Sequence, residues 1–230
     1  MSAPTRVPAG TGHHDPGAPP EPITRMYKLA MGLCTPIVRW WGRLEVTGLD
    51  ALPRSGPVLL AANHDSYWDS ITVGVATRSH RQVRALAKAS IWKVKGLPFI
   101  LDGMGQIPIR RGAGDVGALD RAIADLRAGA CIGVFPEGTR SHGRPLRARS
   151  GFGRLAVAVP EAEIVCATIV GTTGIVRFPC RPRVRLHFFR PAGGNLRPGE
   201  TAGELPVRLL EEIRRGAPLD AAGRRPAPAP

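Results

Sequence analysis

Short, strand-length apolar runs separated by helical patterns constrain this chain more than any other feature. Val58 to Ala62, Val83 to Ala87, Ile107 to Ile109, Cys131 to Phe135, Ile164 to Val170 and Val184 to Phe189 have the length and composition of strands. Between two of them, Val116, Leu119, Ile123 and Leu126 recur at helical spacing. Asp115 stands where a start cap belongs and Gly129 just past the stop. Strand, helix, strand in that order predicts an α/β fold: a single domain whose mixed central sheet is flanked by helices. At 43% hydrophobic and 22% charged residues, the 230-residue chain can bury such a core.

The two ends read differently. Residues 1–22 hold six prolines and no apolar core, so they predict a disordered tail and no signal peptide. Residues 216–230 end in Arg-Arg-Pro-Ala-Pro-Ala-Pro and read as a second tail, leaving 23–215 as the domain. At its start, residues 23–44 interleave Met26, Tyr27, Leu29, Leu33, Ile37, Trp40 and Trp41 with Arg25, Lys28, Arg39 and Arg43. Bulky aromatics beside arginine suit an amphipathic helical segment at a lipid headgroup interface, and equally a helix capping the core. Pro36 is expected to kink or split it. The longest apolar candidate, Leu29 to Val38, is too short for an ordinary spanning helix.

Charge narrows the function. Thirty-two Lys and Arg against 18 Asp and Glu give +14, which points to polyanionic partners: phosphorylated small molecules, an anionic membrane face, or nucleic acid. Aromatics at 5% are a thin supply for stacking single-stranded bases, so nucleic acid is not the expected partner. Cys34, Cys131, Cys166 and Cys180 are not spaced as metal-ligand pairs, and no metal or cofactor is expected. Three of them sit in apolar runs as small hydrophobes, and a chain of this length does not call for a disulfide framework, which favours a reducing compartment. Arg outnumbers Lys 28 to 4, which fits a GC-rich bacterial genome.

Three constellations follow strands. The first, Asn63-His64-Asp65-Ser66-Tyr67-Trp68-Asp69, leaves the end of Val58 to Ala62, where α/β proteins place their ligands. A turn brings the Asp69 carboxylate to one ring nitrogen of His64 and frees the other as a base. The same spacing also reads as a helix cap beside a loop histidine. The second, Phe135-Pro136-Glu137-Gly138-Thr139-Arg140-Ser141, offers turn N–H groups near Gly138, two hydroxyls and a permanent cation. Its Glu137 either accepts from a substrate hydroxyl or holds an arginine in place. The third, Gly105-Gln106-Ile107-Pro108-Ile109-Arg110-Arg111, ends a short strand in two arginines suited to phosphate. Around them, Arg140 to Arg154 carries five cations and no acid, and Arg177 to Arg197 six and none. No Gly-x-Ser-x-Gly elbow or Walker loop occurs, which argues against the common hydrolase and nucleotide-binding alternatives.

Together the blocks Asn63-His64-x-x-x-x-Asp69, Gly105-x-Ile107-x-Ile109-x-Arg111 and Phe135 to Ser141 resemble the glycerophospholipid acyltransferase family, whose best-known members act on lysophosphatidic acid. The resemblance implies His64 as general base and Asp69 as the residue that orients it. It implies that Arg111, Glu137, Gly138, Thr139 and Arg140 hold the acceptor phosphate, with Asn63, Gly105 and Pro136 in support. The implied reaction moves an acyl group from acyl-CoA or acyl carrier protein to the hydroxyl of 1-acyl-glycerol-3-phosphate, at the cytoplasmic membrane face. Cys166, where the family usually has proline, and Pro108, where many relatives carry an aromatic, depart from the pattern. Those departures motivate a second reading with another lysolipid or glycolipid acceptor. A reading of another class is a non-catalytic module binding anionic lipid or nucleic acid.

Overall fold

The computed structural model describes residues 21–110, 115–179 and 181–219. Residues 1–20 and 220–230, and with them most of the two predicted tails, lie outside the described residues, as do Arg111 and Cys180.

Seven strands form one sheet: β1 (Glu45–Thr47), β2 (Val58–Ala62), β3 (Val83–Lys88), β4 (Ile107–Ile109), β5 (Cys131–Val134), β6 (Glu163–Val170) and β7 (Arg185–Phe189). Their order is β1-β7-β6-β2-β5-β3-β4. β2 to β6 run parallel, whereas β7 pairs antiparallel with β6 and parallel with β1. The sheet is therefore mixed, and the parallel strands end along one edge. β2 sits at its centre with all five residues buried, as expected of a strand covered on both faces.

Alternation along that strand sorts the core. Leu59 and Ala61 join Ile132, Ile164 and Cys166 beneath α4 (Val116–Arg127), α5 (Gly151–Ala158) and α6 (Glu204–Gly216). Val58, Leu60 and Ala62 face the other way, against Val73 and Ala76 of α2 (Trp68–Thr77). α1 (Arg25–Thr35) lies on α2: Tyr27 and Met31 pack with Val75, and the Tyr27 hydroxyl bonds Thr77 Oγ at 3.0 Å. At Pro36, which lacks an N–H, the chain passes from α-helix into a π-helical turn spanning Pro36–Trp41. α3 (Leu97–Gly103) completes the helices. No helix of the described residues is long and apolar enough to cross a membrane.

Below the sheet, at the amino ends of β2 and β5, Arg81 is fully buried and donates to the carbonyls of Pro53, Ser55, Gly56 and Gly129. Above it, at the carboxyl ends, lies the candidate site.

Candidate active site

Asn63 is the first residue past β2, and its side chain carries on the work of a strand. Its amide Oδ1 accepts from Ile169 N and its Nδ2 donates to Ile169 O, both at 2.8 Å, so it grips both backbone groups of one residue of β6. That grip fixes where His64 leaves the sheet. The His64 N–H then donates to Glu137 Oε2 at 2.8 Å, and its carbonyl accepts from Ser141 N at 2.8 Å. The 63–69 segment and the 137–141 turn are thus sewn together through one residue.

Asp69, in the first turn of α2, is fully buried. Its Oδ2 accepts from the backbone N–H of Asp65 at 2.6 Å and of Ser66 at 2.7 Å, and lies 3.0 Å from His64 Nδ1. Its Oδ1 accepts from the Thr172 hydroxyl. A carboxylate oxygen that already accepts two backbone N–H groups is an acceptor to the ring as well, so Nδ1 carries the proton. Nε2 is then the lone-pair nitrogen, with no hydrogen-bond partner among the described residues. Phe135 covers one face of the ring, with centroids 4.1 Å apart and planes 10° off parallel. His64 itself is 7% exposed. The imidazole is thereby held in one tautomer and one plane. Asp69 is not the cap of α2, which is Tyr67 without a side-chain bond; it lies one position inside the helix, closes the turn before it and faces the histidine.

The 137–141 turn needs glycine at one position. Gly138 has φ +69°, and a Cβ there would come within 3.0 Å of Arg149 Cγ. Thr139 points out into solvent beside Arg140, whose Nη2 donates to the Tyr67 hydroxyl at 3.0 Å and whose guanidinium carbon lies 3.7 Å from the Tyr67 ring centroid. Pro136 is buried, and its carbonyl accepts from Arg149 N. Glu137 takes the second of its two sequence readings. Only 2% exposed, it gives one oxygen to His64 N and the other to Arg214, so its carboxylate faces the protein interior.

The third block divides between the two edges of the sheet. Arg110 ends β4 at the carboxyl edge and is exposed, while Gly105 (φ +63°) lies before β4 at the amino edge, under Arg84. Gly105 therefore shapes the approach to β4 and does not stand beside His64. Cys166 is packed in the core four residues before β6 ends, and burial pushes its thiol up to about 12.

Three further residues complete the arrangement. Thr172 supports Asp69 from the segment after β6. Asp65 accepts from Asn63 Nδ2 at 2.7 Å and from the Ser141 hydroxyl. Arg214, in the last turn of α6, donates to both Asp65 and Glu137. Asp65 lies inside the recognised block; Thr172 and Arg214 lie in segments with no local pattern to mark them.

A family model described as Acyltransferase matches residues 43–174, more than half of the chain and all three blocks. The chain belongs to the Acyltransferase family. Among curated relatives of this acyltransferase-family chain, the lyso-ornithine lipid O-acyltransferase of Pseudomonas aeruginosa is 33% identical over 138 residues, covering 56% of the chain and 50% of the relative. The 1-acyl-sn-glycerol-3-phosphate acyltransferase of Bacillus subtilis is 27% identical over 116 residues, covering 50% and 58%. The chain thus aligns with about half the length of these relatives. Its fold is that of PlsC from Thermotoga maritima, a 1-acyl-sn-glycerophosphate (LPA) acyltransferase, with a TM-score of 0.60 at 21% identity over 83% of this chain and 79% of that one.

Proposed function

We propose that the protein transfers a fatty acyl group from acyl-CoA or acyl carrier protein to the free hydroxyl of 1-acyl-glycerol-3-phosphate, giving phosphatidic acid. The observation that carries the reading is the His64–Asp69 pair, with Nδ1 held 3.0 Å from a carboxylate that is already an acceptor. His64 Nε2 takes the hydroxyl proton as that oxygen attacks the thioester carbonyl. The new carbon–oxygen bond forms, the carbon–sulfur bond breaks, and the proton on Nε2 returns to the departing thiolate. Asp69 stabilises the imidazolium between those two events. Thioester activation is carried by the donor, so the chemistry calls for no cofactor or metal.

Arg140, Thr139 and the Gly138 turn, with Arg110 just past β4 and Arg111 next to it in the sequence, supply the cationic cradle for the acceptor phosphate in this reading. Glu137 serves from below by holding the His64 backbone. Acyl chains keep both substrates near a bilayer, and the reading places the protein peripherally at the cytoplasmic face; the exposed apolar surface supports the peripheral part of it. Leu29, Leu33, Ile37 and Trp40 form an exposed stripe on the helical arm, with Leu33 72% and Trp40 71% accessible, rimmed by Arg25, Lys28, Arg39 and Arg43. Trp41 stacks on Phe178, itself 84% exposed, which joins the segment after β6 to the same face.

In an acyl-CoA assay on lysophosphatidic acid, His64→Ala is expected to lower the rate by about 10³-fold, within the span of general-base contributions. Full retention would overturn the mechanism. One observation favours a second reading, in which the acceptor is a lyso-amino lipid: the 33% identical relative is named for lyso-ornithine lipid. An acceptor panel decides between the two. Reaction with phosphate-free lysolipids and none with lysophosphatidic acid would select the second.

A further inference from the structure

Arg214 makes five hydrogen bonds in the site, yet it belongs to none of the motifs. Its Nη1 and Nη2 donate to Asp65 Oδ2 and Oδ1 at 3.2 and 3.1 Å, a two-pronged grip on one carboxylate. Its Nε, 3.1 Å away, and its Nη2 both reach Glu137 Oε1. The remaining Nη1 hydrogen goes to the Ala217 carbonyl at 3.2 Å. All five guanidinium N–H groups are committed.

Asp65 and Glu137 are themselves links to the backbone that carries the chemistry. Glu137 holds the N–H of His64, and Asp65 holds Asn63 and Ser141, whose own N–H holds the His64 carbonyl. Both carboxylates are buried, 8% and 2% exposed, and both converge on one cation. Remove that cation and two desolvated like charges face each other across the seam between the two loops. They separate or take up protons, and either response shifts the peptide that aims the imidazole.

We propose that Arg214 is a positioning residue for acyl transfer: from the C-terminal helix it clamps the 63–69 segment to the 137–141 turn and so fixes where His64 stands relative to the acceptor cradle. The proposal rests on the acyl-transfer reading, but its geometry can be read without substrate. The clamp is specific to arginine, because a lysine ammonium cannot fork onto one carboxylate while reaching the second.

The experiment compares wild type with Arg214→Met, Arg214→Lys and the exposed neighbour Arg215→Met, checked for folding by thermal melting. Two quantities are read: kcat and KM for lysophosphatidic acid, and the proton NMR signal of the His64 ring, which the stacked Phe135 displaces. The expected result is a kcat about 100-fold lower for Arg214→Met at a KM within threefold, the size of loss a displacement of about 1 Å produces. Arg214→Lys should be intermediate, the His64 signal should shift in both, and Arg215→Met should match wild type. Should Arg214→Met not fold, Arg214→Lys decides alone. A folded Arg214→Lys with wild-type kcat and an unmoved His64 signal overturns the proposal. If wild type transfers no acyl group at all yet the His64 signal still shifts in the Arg214 variants, the acyl-transfer reading fails and the clamp stands.

Discussion

A single carboxylate carries four contacts in this site: Asp69 accepts from two backbone N–H groups, from the Thr172 hydroxyl and from the ring of His64. Replacing it with asparagine presents an amide where those donors need an acceptor. If the amide oxygen turns toward the backbone, its nitrogen meets Thr172; if it turns toward Thr172, the nitrogen faces the ring and the Asp65 and Ser66 amides. Asp69→Asn is expected to cost about 10²- to 10³-fold in kcat, by loss of the tautomer that presents Nε2 as a base. Steady-state kinetics beside His64→Ala checks it, and a double variant no slower than His64→Ala would show that both residues act in one step. The spacing of His64 and Asp69 is legible because they stand only five positions apart, and a strand end followed by a helix start brings them together. Arg214 and Thr172 were not legible. They reach the site across 149 and 103 positions, and no local periodicity encodes a contact that depends on how whole elements dock.

At the scale of elements, strands with apolar runs were readable with ends shifted by a residue or so: β5 stops at Val134 rather than Phe135, which instead stacks on the histidine. β1 escaped notice because it is three residues long and gains its stability by pairing with β7, with Glu45 opposite Arg185. α5 opens Gly-Phe-Gly, a poor helix signal, yet Gly153 is required there: a Cβ on it would lie 2.0 Å from the Ala202 carbonyl oxygen. Arg81 shows how the opposite edge of the sheet is secured. Strand amino ends and the loops before them leave carbonyls outside the sheet's ladders, and one buried guanidinium satisfies four of them. Burial lowers its pKa. Arg81→Met is expected to destabilise the fold by about 3 kcal/mol or more, since unsatisfied buried carbonyls cost on the order of 1–3 kcal/mol each. Urea unfolding measures this directly, and a loss under 1 kcal/mol would mean the carbonyls find other donors.

For the molecule as a whole, three acids buried in their neutral form set an alkaline limit. Burial pushes Tyr27, Cys131 and Cys166 each up to about 12, against ordinary values of 10.0, 9.0 and 9.0. Because these folded-state values lie above the unfolded ones, the unfolded chain gives up its protons first. Their contribution to stability is complete below pH 9 and is lost progressively as pH rises toward 12. The slope reaches about 1.4 kcal/mol per pH unit for each group in transition. Urea midpoints that are flat up to pH 8.5 and fall steeply from pH 9 are the expected result. A midpoint unchanged at pH 11 would contradict the burial of these groups.

The order of synthesis gives the Arg214 contact a temporal meaning. Every strand of the sheet, and both loops that meet at His64, are translated before α6. The seam between those two loops, and the core face that Leu205, Leu209 and Ile213 cover, therefore both wait for α6. A polypeptide interrupted before that helix would carry all three recognisable blocks and lack the one guanidinium that joins two of them.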